Sequence, residues 1–230
     1  MTPRHPQAPS VGGADFGDLR RTAPISRAFG FERGQPIDRY YLERFLAQHA
    51  QDVHGRVLEV GDDGYTRRYG GDRVVRSDVL SLTPDNPNAT IVADLARAGS
   101  LPSDTFDCLI VTQTLQFIFN AQAAVATLHR ALKPGGVLLA SVPGISQVCR
   151  YDMDRWGDYW RFTDAALRRL LTDEFGTGRV DVQAHGNVLA ALGFLHGIAA
   201  AELTAAELDA VDADYQLLIT AYAQRSGADR

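Results

Sequence analysis

Between residues 56 and 142 the chain alternates short apolar runs with turns and helices, and this alternation constrains the fold more than any other feature. The run at 106–112 is almost wholly apolar, as a central strand of a parallel sheet is. Repeated strand, turn and helix units predict a parallel sheet with helices on both faces. The apolar runs predict strands at 56–61, 73–79, 89–94, 106–112 and 137–142, and apolar spacing predicts a helix at 121–132.

The flanking segments suggest one domain behind a leader. Residues 1–24 are rich in proline and glycine and are predicted to be a flexible leader, and 25–230 are predicted to form a single domain. Its N-terminal part (25–55) contains a helix that starts at Pro36 and is interpreted as a lid. The domain is further predicted to contain a cofactor-binding core (56–144) and an acceptor-binding and C-terminal part (145–230). In the latter, helices are predicted at 163–175 and 187–201 and strands at 179–184 and 215–223.

Composition excludes several functions. The 230 residues carry a net charge of −5, which disfavours nucleic acid as a partner. No apolar run reaches the roughly 20 residues that span a bilayer, and two cysteines fit a reducing, cytoplasmic compartment. The only lysine, Lys133, lies in a Lys-Pro-Gly-Gly turn, which suits neither a Schiff base nor a P-loop.

Acidic residues are predicted at the carboxyl ends of three successive strands, the edge where open parallel sheets bind ligands. They are Glu59, Asp78 and Asp94. The spacing of Glu59 and Asp78 also fits a nicotinamide dinucleotide, but the G-x-G-x-x-G fingerprint is absent, and Asp62 and Asp63 would repel a pyrophosphate. A nucleoside that carries a sulfonium and an ammonium group, as S-adenosylmethionine does, suits this acidic edge better.

Over residues 56–144 the sequence resembles the class I S-adenosylmethionine-dependent methyltransferases. The motifs are, in order, Val57-Leu58-Glu59-Val60-Gly61; Asp78; Ile91-Val92-Ala93-Asp94-Leu95; Leu101-Pro102 with Phe106-Asp107 and Thr112-Gln113-Thr114-Leu115; and Leu128-His129-Arg130-Ala131-Leu132-Lys133-Pro134-Gly135-Gly136. The resemblance implies an α/β, Rossmann-like three-layer sandwich. Its seven-stranded, mostly parallel sheet would end in an antiparallel last strand.

The resemblance also implies roles in cofactor binding. Glu59 would orient the glycine loop or hold the amino end of the cofactor through water, and Gly61 would let the backbone approach the methionine part. Asp78 would bind the ribose. Asp94, which Leu95 follows, would bind the adenine amine. Gln113 would lie near the amino group of the cofactor. The loop departs from the family pattern, since its later glycine positions hold Asp63 and Tyr65, which would bring Tyr65 or Thr66 near the cofactor. Arg39 or Tyr40, ahead of the first strand, would hold the cofactor carboxylate or the acceptor; the alternative is a surface helix.

The stretch 150–162 holds both tryptophans and mixes aromatic with charged residues, which suits a polyhydroxylated ring. Arg155, Trp156, Tyr159, Trp160 and Arg161 are the candidate substrate contacts. The alternative is a loop that packs over the sheet.

An oxygen acceptor needs a base, and the candidates are His196, Asp158 and His185. No metal site is predicted, although Asp152, Asp154 and Asp158 leave a magnesium alternative open.

The predicted function is transfer of a methyl group from S-adenosylmethionine to a small hydroxylated acceptor, on oxygen. The stretch 156–163 looks like that of bacterial methyltransferases associated with glycan and natural-product pathways, which implies a sugar, a glycoside or another natural-product intermediate. The alternatives are a non-catalytic module that binds the cofactor or a partner and a nicotinamide enzyme. The expected partner is a small molecule, with neither nucleic acid nor membrane, and a homodimer is an open alternative.

Overall fold

The computed structural model describes residues 8–227, and it alternates strands and helices as the sequence analysis expects. The helices are α1 (Ile37–Gln48), α2 (Ala121–Ala131), α3 (Arg150–Met153), α4 (Asp164–Phe175), α5 (Val188–His196) and α6 (Ala205–Asp209). The strands are β1 (Gly55–Val60), β2 (Val74–Ser81), β3 (Ile91–Val92), β4 (Phe106–Thr112), β5 (Leu132–Pro143), β6 (Val180–His185) and β7 (Leu218–Gln224).

The seven strands form one sheet in the order β3-β2-β1-β4-β5-β7-β6. The pairs from β3 to β5 are parallel, and β7 runs antiparallel to both of its neighbours. The strand order reverses between β1 and β4, so a crevice opens there at the carboxyl ends of the strands. The predicted fold class, including the antiparallel last strand, is confirmed.

Helices cover both faces of the sheet and enclose two apolar layers. On one face α2 and α4 pack on the sheet, with Leu128, Leu167 and Leu171 fully buried. On the other face α1, α5 and α6 contribute Leu42, Phe194 and Leu208. This packing makes the sheet a rigid support for the loops at its edge.

Local sequence signals explain where several helices begin. The side chains of Asn120, Thr163 and Asn187 each accept a hydrogen bond from a backbone N–H in the first turn of α2, α4 and α5. Such caps satisfy donors that a helix leaves unpaired at its N-terminus. Pro36 precedes α1, where its fixed φ suits the start of a helix.

Some predicted boundaries are wrong. The second strand continues to Ser81 rather than ending at 79, and the third is only two residues long. The helix predicted to run to 201 ends at His196, because Gly197 adopts the left-handed conformation that stops a helix.

Of the predicted leader, residues 1–7 lie outside the described part of the chain. Residues 8–24 are largely exposed and contain one short 3₁₀ turn, Gly17–Leu19. The chain joins the domain at Ile25 and Ser26, whose N–H groups donate to the carbonyl of His196 at 2.9 and 3.0 Å.

Candidate functional site

A cavity of about 1290 Å³ lies at the carboxyl ends of β1, β2, β4 and β5. Typical small-molecule sites occupy roughly 300–1,000 Å³, so this one has room for two ligands side by side. Of the residues proposed from the sequence, the following line it: Arg39, Glu59, Gly61, Tyr65, Asp94, Leu95, Gln113, Arg155, Trp156, Asp158 and Arg161.

Glu59, at the end of β1, holds the loop that follows it. The carboxylate accepts hydrogen bonds from the Thr66 backbone N–H and hydroxyl, both at 2.7 Å, and from the Tyr65 N–H at 3.2 Å. Glu59 is only 2% exposed, and its burial raises its pKa to about 7 against the opposing effect of these bonds. The loop path that the altered glycine pattern leaves undetermined is therefore fixed by a buried carboxyl group.

Gly61 turns the chain out of β1 with φ of +90°, a conformation that favours glycine. Its carbonyl accepts a hydrogen bond from the Asn86 side chain at 2.6 Å, which ties this turn to the loop after β2. Asp94 is exposed, and Leu95 is buried beside it. The resemblance places the methionine part of the cofactor beside Gly61 and the adenine beside Asp94.

The end of β4 is strained. Gln113 has φ of +47°, unusual for a residue other than glycine, and its N–H donates to the Ser141 carbonyl at 2.9 Å. Backbone strain of this kind is concentrated at functional sites. The neighbouring Gln116 is 4% exposed and lines the cavity, and its buried Oε1 atom has no hydrogen-bond partner.

Helix α1 contributes a second unpartnered acceptor. Asp38 is 7% exposed, and its Oδ1 atom is buried without a partner, whereas Oδ2 lies 3.3 Å from a guanidinium nitrogen of Arg39. Burial raises the pKa of Asp38, and the charge of Arg39 acts in the opposite direction. Both side chains line the cavity beside Tyr65. A buried carboxylate oxygen without a donor is costly unless a ligand supplies one.

The other half of the cavity is built around an ion pair. Asp158 is 9% exposed, accepts from Arg161 at 2.6 and 3.0 Å, and accepts from the Cys149 N–H at 3.0 Å. Arg161 also donates to the Gln147 carbonyl at 2.6 Å. These bonds lock the segment that carries Arg155, whose guanidinium lies 3.4 Å from the centre of the Tyr151 ring.

Two residues predicted to contact the cofactor lie elsewhere. Because β2 continues to Ser81, Asp78 is inside the sheet rather than at its edge, 1% exposed, and bonded to Arg56 at 2.7 Å and Thr90 at 3.0 Å. It does not line the cavity, so its predicted position as the ribose acid is wrong. Thr66 is buried, and its hydroxyl donates a hydrogen bond to the Glu59 carboxylate. It therefore holds the loop in place and does not line the cavity.

Three residues from the candidate base and acceptor sets also lie outside the cavity lining. His185 bonds to the Thr220 hydroxyl at 2.8 Å and stacks on Tyr41, and burial lowers its pKa to about 4. The partly buried His196 ends α5, with its Nδ1 atom enclosed. Tyr40 donates to Asp209 of α6 at 2.8 Å. Their sequence positions were compatible with a site, but tertiary packing directs them away from it.

Tyr159 and Trp160 form an exposed aromatic cluster with Phe119. The Phe119 and Trp160 rings stack at 5.6 Å, and the indole N–H donates to the Ile118 carbonyl at 3.2 Å. Neither Tyr159 nor Trp160 lines the cavity, so the prediction that the whole aromatic stretch surrounds the acceptor is wrong for these two.

The cavity lining also includes polar residues that were not proposed from the sequence, among them Asp38, Asn86 and Gln116. An acid in the first turn of a helix is typical of dipole stabilisation, so Asp38 gave no separate signal. Within residues 8–227, no group of three or more His, Cys, Asp or Glu side chains has the arrangement of a metal site. The helices of that part of the chain include none long and apolar enough to cross a membrane.

Comparison with known proteins agrees with this geometry. Residues 64–140 match the family described as methyltransferase domain. The ubiquinone/menaquinone biosynthesis C-methyltransferase UbiE of Marinomonas sp. (strain MWYL1) is 29% identical over 85 residues, which are 37% of this chain and 32% of that protein. The chain therefore matches about a third of the length of this curated relative.

Solved structures share the fold at low sequence identity. A SAM-dependent methyltransferase from Archaeoglobus fulgidus superposes with a TM-score of 0.55 at 13% identity, covering 87% of this chain and all of that one. Phosphoethanolamine N-methyltransferase 2 of Haemonchus contortus, in complex with S-adenosyl-L-methionine, gives 0.52 at 14% identity and covers 80% of this chain and 52% of that one.

The strand order and the glycine turn after β1 are those of the Rossmann-like fold that these solved methyltransferases share, and residues 64–140 match a methyltransferase domain.

Proposed function

We propose that the protein transfers a methyl group from S-adenosylmethionine to a small hydroxylated acceptor, on oxygen, with a sugar, a glycoside or a related natural-product intermediate as the acceptor class. The observation that carries the proposal is the single cavity that runs from the Glu59-held loop to the Asp158–Arg161 ion pair. Its first half fits the cofactor and its second half a polar acceptor.

When bound, S-adenosylmethionine supplies a methyl group on a positively charged sulfur. Gly61 lets the backbone approach that part of the ligand, and Glu59 keeps the loop in place. Asp94 provides an acceptor for the adenine amine, and Leu95 an apolar wall. The exposed Asp85 lies in the loop after β2 and lines the cavity, and it is the proposed ribose acid in place of Asp78.

The acceptor half combines aromatic faces with charged groups. Trp156 and Tyr151 offer apolar ring faces, and Arg155 and Asp152 offer a donor and an acceptor. Sugars bind to such sites because their C–H faces stack on rings while their hydroxyls form hydrogen bonds. Asp158 is the proposed proton acceptor, since it alone among the three candidate bases lines the cavity. Its bonds to Arg161 fix its position.

Two measurements test the proposal in order. Calorimetric titration with S-adenosylhomocysteine is expected to give saturable binding; absence of binding at millimolar ligand would refute the cofactor assignment. Radiolabelled S-adenosylmethionine is then offered with a panel of sugars, glycosides and amines. Transfer to hydroxyl compounds supports the proposal, and transfer only to amines contradicts the acceptor class.

For the active acceptor, Asp158→Asn is expected to lower kcat by about 100-fold or more, the usual contribution of a general base. His185→Gln is the matched control, because His185 lies outside the cavity lining, and it is expected to retain kcat. Equal activity of wild type and Asp158→Asn would remove Asp158 as the base. Cofactor binding without transfer to any acceptor would favour the alternative, a module that binds without catalysis.

A further inference from the structure

Asp38 is the buried acid in the cavity that the proposed function leaves without a role. It lies in the first turn of α1, and its Oδ1 atom has no hydrogen-bond partner although the side chain is nine-tenths buried. Proteins rarely leave a buried carboxylate oxygen unpaired, because the lost hydration is not replaced. The free oxygen belongs to a cavity-lining side chain, which points to a ligand that brings a donor.

The surroundings of Asp38 limit what that donor is. Arg39, next in the chain, lines the same cavity, so a carboxylate and a guanidinium lie 3.3 Å apart at its wall. An acid and a base side by side complement a ligand that carries both an ammonium and a carboxylate group.

The position of α1 supports the same conclusion. The Tyr69 hydroxyl donates to the Glu43 carbonyl at 3.1 Å, and Arg68 pairs with the Glu43 side chain at 2.8 Å. These contacts fasten α1 to the segment that continues the glycine loop. Asp38 and Arg39 are on this fastened helix, and both act electrostatically on Tyr65 in the loop after β1.

We infer that Asp38 binds the α-ammonium group of the cofactor through its free Oδ1 atom, with Arg39 as the partner of the cofactor carboxylate. The inference rests on the proposed function, because it takes S-adenosylmethionine as the ligand. It gives α1 a part in selecting a ligand with an intact amino-acid end. Binding would supply the hydrogen bond that the buried oxygen lacks.

The test is a thermodynamic cycle between side chain and ligand. S-adenosylhomocysteine and its deaminated analogue, which has a hydrogen in place of the amino group, are titrated into wild type and Asp38→Asn. A hydrogen bond to a charged group contributes roughly 1.5–3 kcal/mol, which corresponds to about 10- to 150-fold in affinity. Wild type is expected to prefer S-adenosylhomocysteine by at least about tenfold, and Asp38→Asn is expected to lose most of that preference.

The control is Asp164→Asn, which also removes a first-turn helix acid but at α4, outside the cavity lining. It is expected to keep the preference of wild type. Thermal unfolding checks that each variant is folded. The preference of wild type for one of the two ligands needs no variant, so it tests the inference even if Asp38→Asn does not fold.

Three results would overturn the inference. Equal affinity of wild type for the two ligands would show that the ammonium group has no specific partner. An equal loss of affinity for both ligands in Asp38→Asn would indicate a structural role. Unchanged binding with lost methyl transfer would indicate a role toward the acceptor. If wild type binds neither ligand, the proposed function fails as well, and this result differs from the other three.

Discussion

Replacing Glu59 by glutamine will change how the stability of the protein depends on pH. The carboxyl group is 2% exposed, and burial raises its pKa from 4.5 to about 7. In the unfolded chain the group returns to its ordinary pKa. Between these two values the folded protein holds a proton that the unfolded chain has lost, so stability falls as the pH rises through this range.

The magnitude follows from the two pKa values. A difference of about 2.5 pKa units corresponds to about 3.4 kcal/mol when the group is fully ionised in both states. When the ionised fractions of both states are included, ionisation of Glu59 lowers the unfolding free energy by about 0.8 kcal/mol at pH 5 and by about 3.3 kcal/mol at pH 8. Relative to the glutamine variant, wild type should therefore lose about 2.5 kcal/mol of unfolding free energy over this range.

Glutamine has its own cost. Glu59 accepts three hydrogen bonds from Tyr65 and Thr66, and the amide can accept only at its oxygen, so at least one donor loses its partner at roughly 1–3 kcal/mol. That cost does not change with pH, which makes the slope rather than the absolute stability the informative quantity.

The assay is urea denaturation of wild type and Glu59→Gln from about pH 5 to pH 8, with the difference in unfolding free energy plotted against pH. Groups other than Glu59 cancel in this difference. A flat plot, or a wild type that gains stability relative to the variant as pH rises, would refute the reasoning that burial dominates at this carboxyl group.

Three further predictions concern residues outside the cavity lining. His185→Gln should keep S-adenosylhomocysteine affinity. Because the pKa of His185 is lowered to about 4, the unfolding free energy of wild type should fall by about 3 kcal/mol relative to that of the variant as the pH falls from about 6.5 to 4, measured by denaturation. Asp78→Asn should lower the unfolding free energy by about 1–3 kcal/mol, because it breaks the pair with Arg56, and it should cause no selective loss of ligand affinity. Normal stability with weakened ligand binding would restore Asp78 as the ribose acid. Lys133→Ala should cost no more than about 1 kcal/mol, because its pair with Asp107 is partly exposed, and calorimetric titration should show unchanged ligand affinity.

The sheet was predictable because its signals are local. The apolar runs at β1 and β4 and the cap at Thr163 depend on the nearest residues alone, and each lies close to its expected position. The strand β5 includes the predicted run 137–142 but starts at Leu132, since the predicted turn at 133–136 belongs to it. Burial on both faces leaves a central strand few alternatives to an apolar sequence. The fold therefore follows from residues whose role does not depend on distant partners.

The site was less predictable because its residues depend on register. Moving the end of β2 from 79 to Ser81 carries Asp78 from the cavity edge into the sheet, where Arg56 on the neighbouring strand completes its ion pair. A spacing of 19 residues from Glu59 was compatible with either position. Sequence spacing fixes the number of residues between two points, but it does not fix how many of them the strand takes up.

The aromatic stretch shows the same dependence at the level of single side chains. Trp156 and Trp160 are four residues apart, yet the first lines the cavity and the second stacks on Phe119 at the surface. Between them lie Gly157, with φ of +91°, and Asp158, whose carboxylate accepts hydrogen bonds from Arg161 and from the Cys149 N–H. Since this segment lacks the period of a helix or a strand, no sequence pattern assigns its side chains to one face. If the acceptor binds in this half of the cavity, as proposed, the Asp158→Asn variant should disturb acceptor binding as well as proton removal.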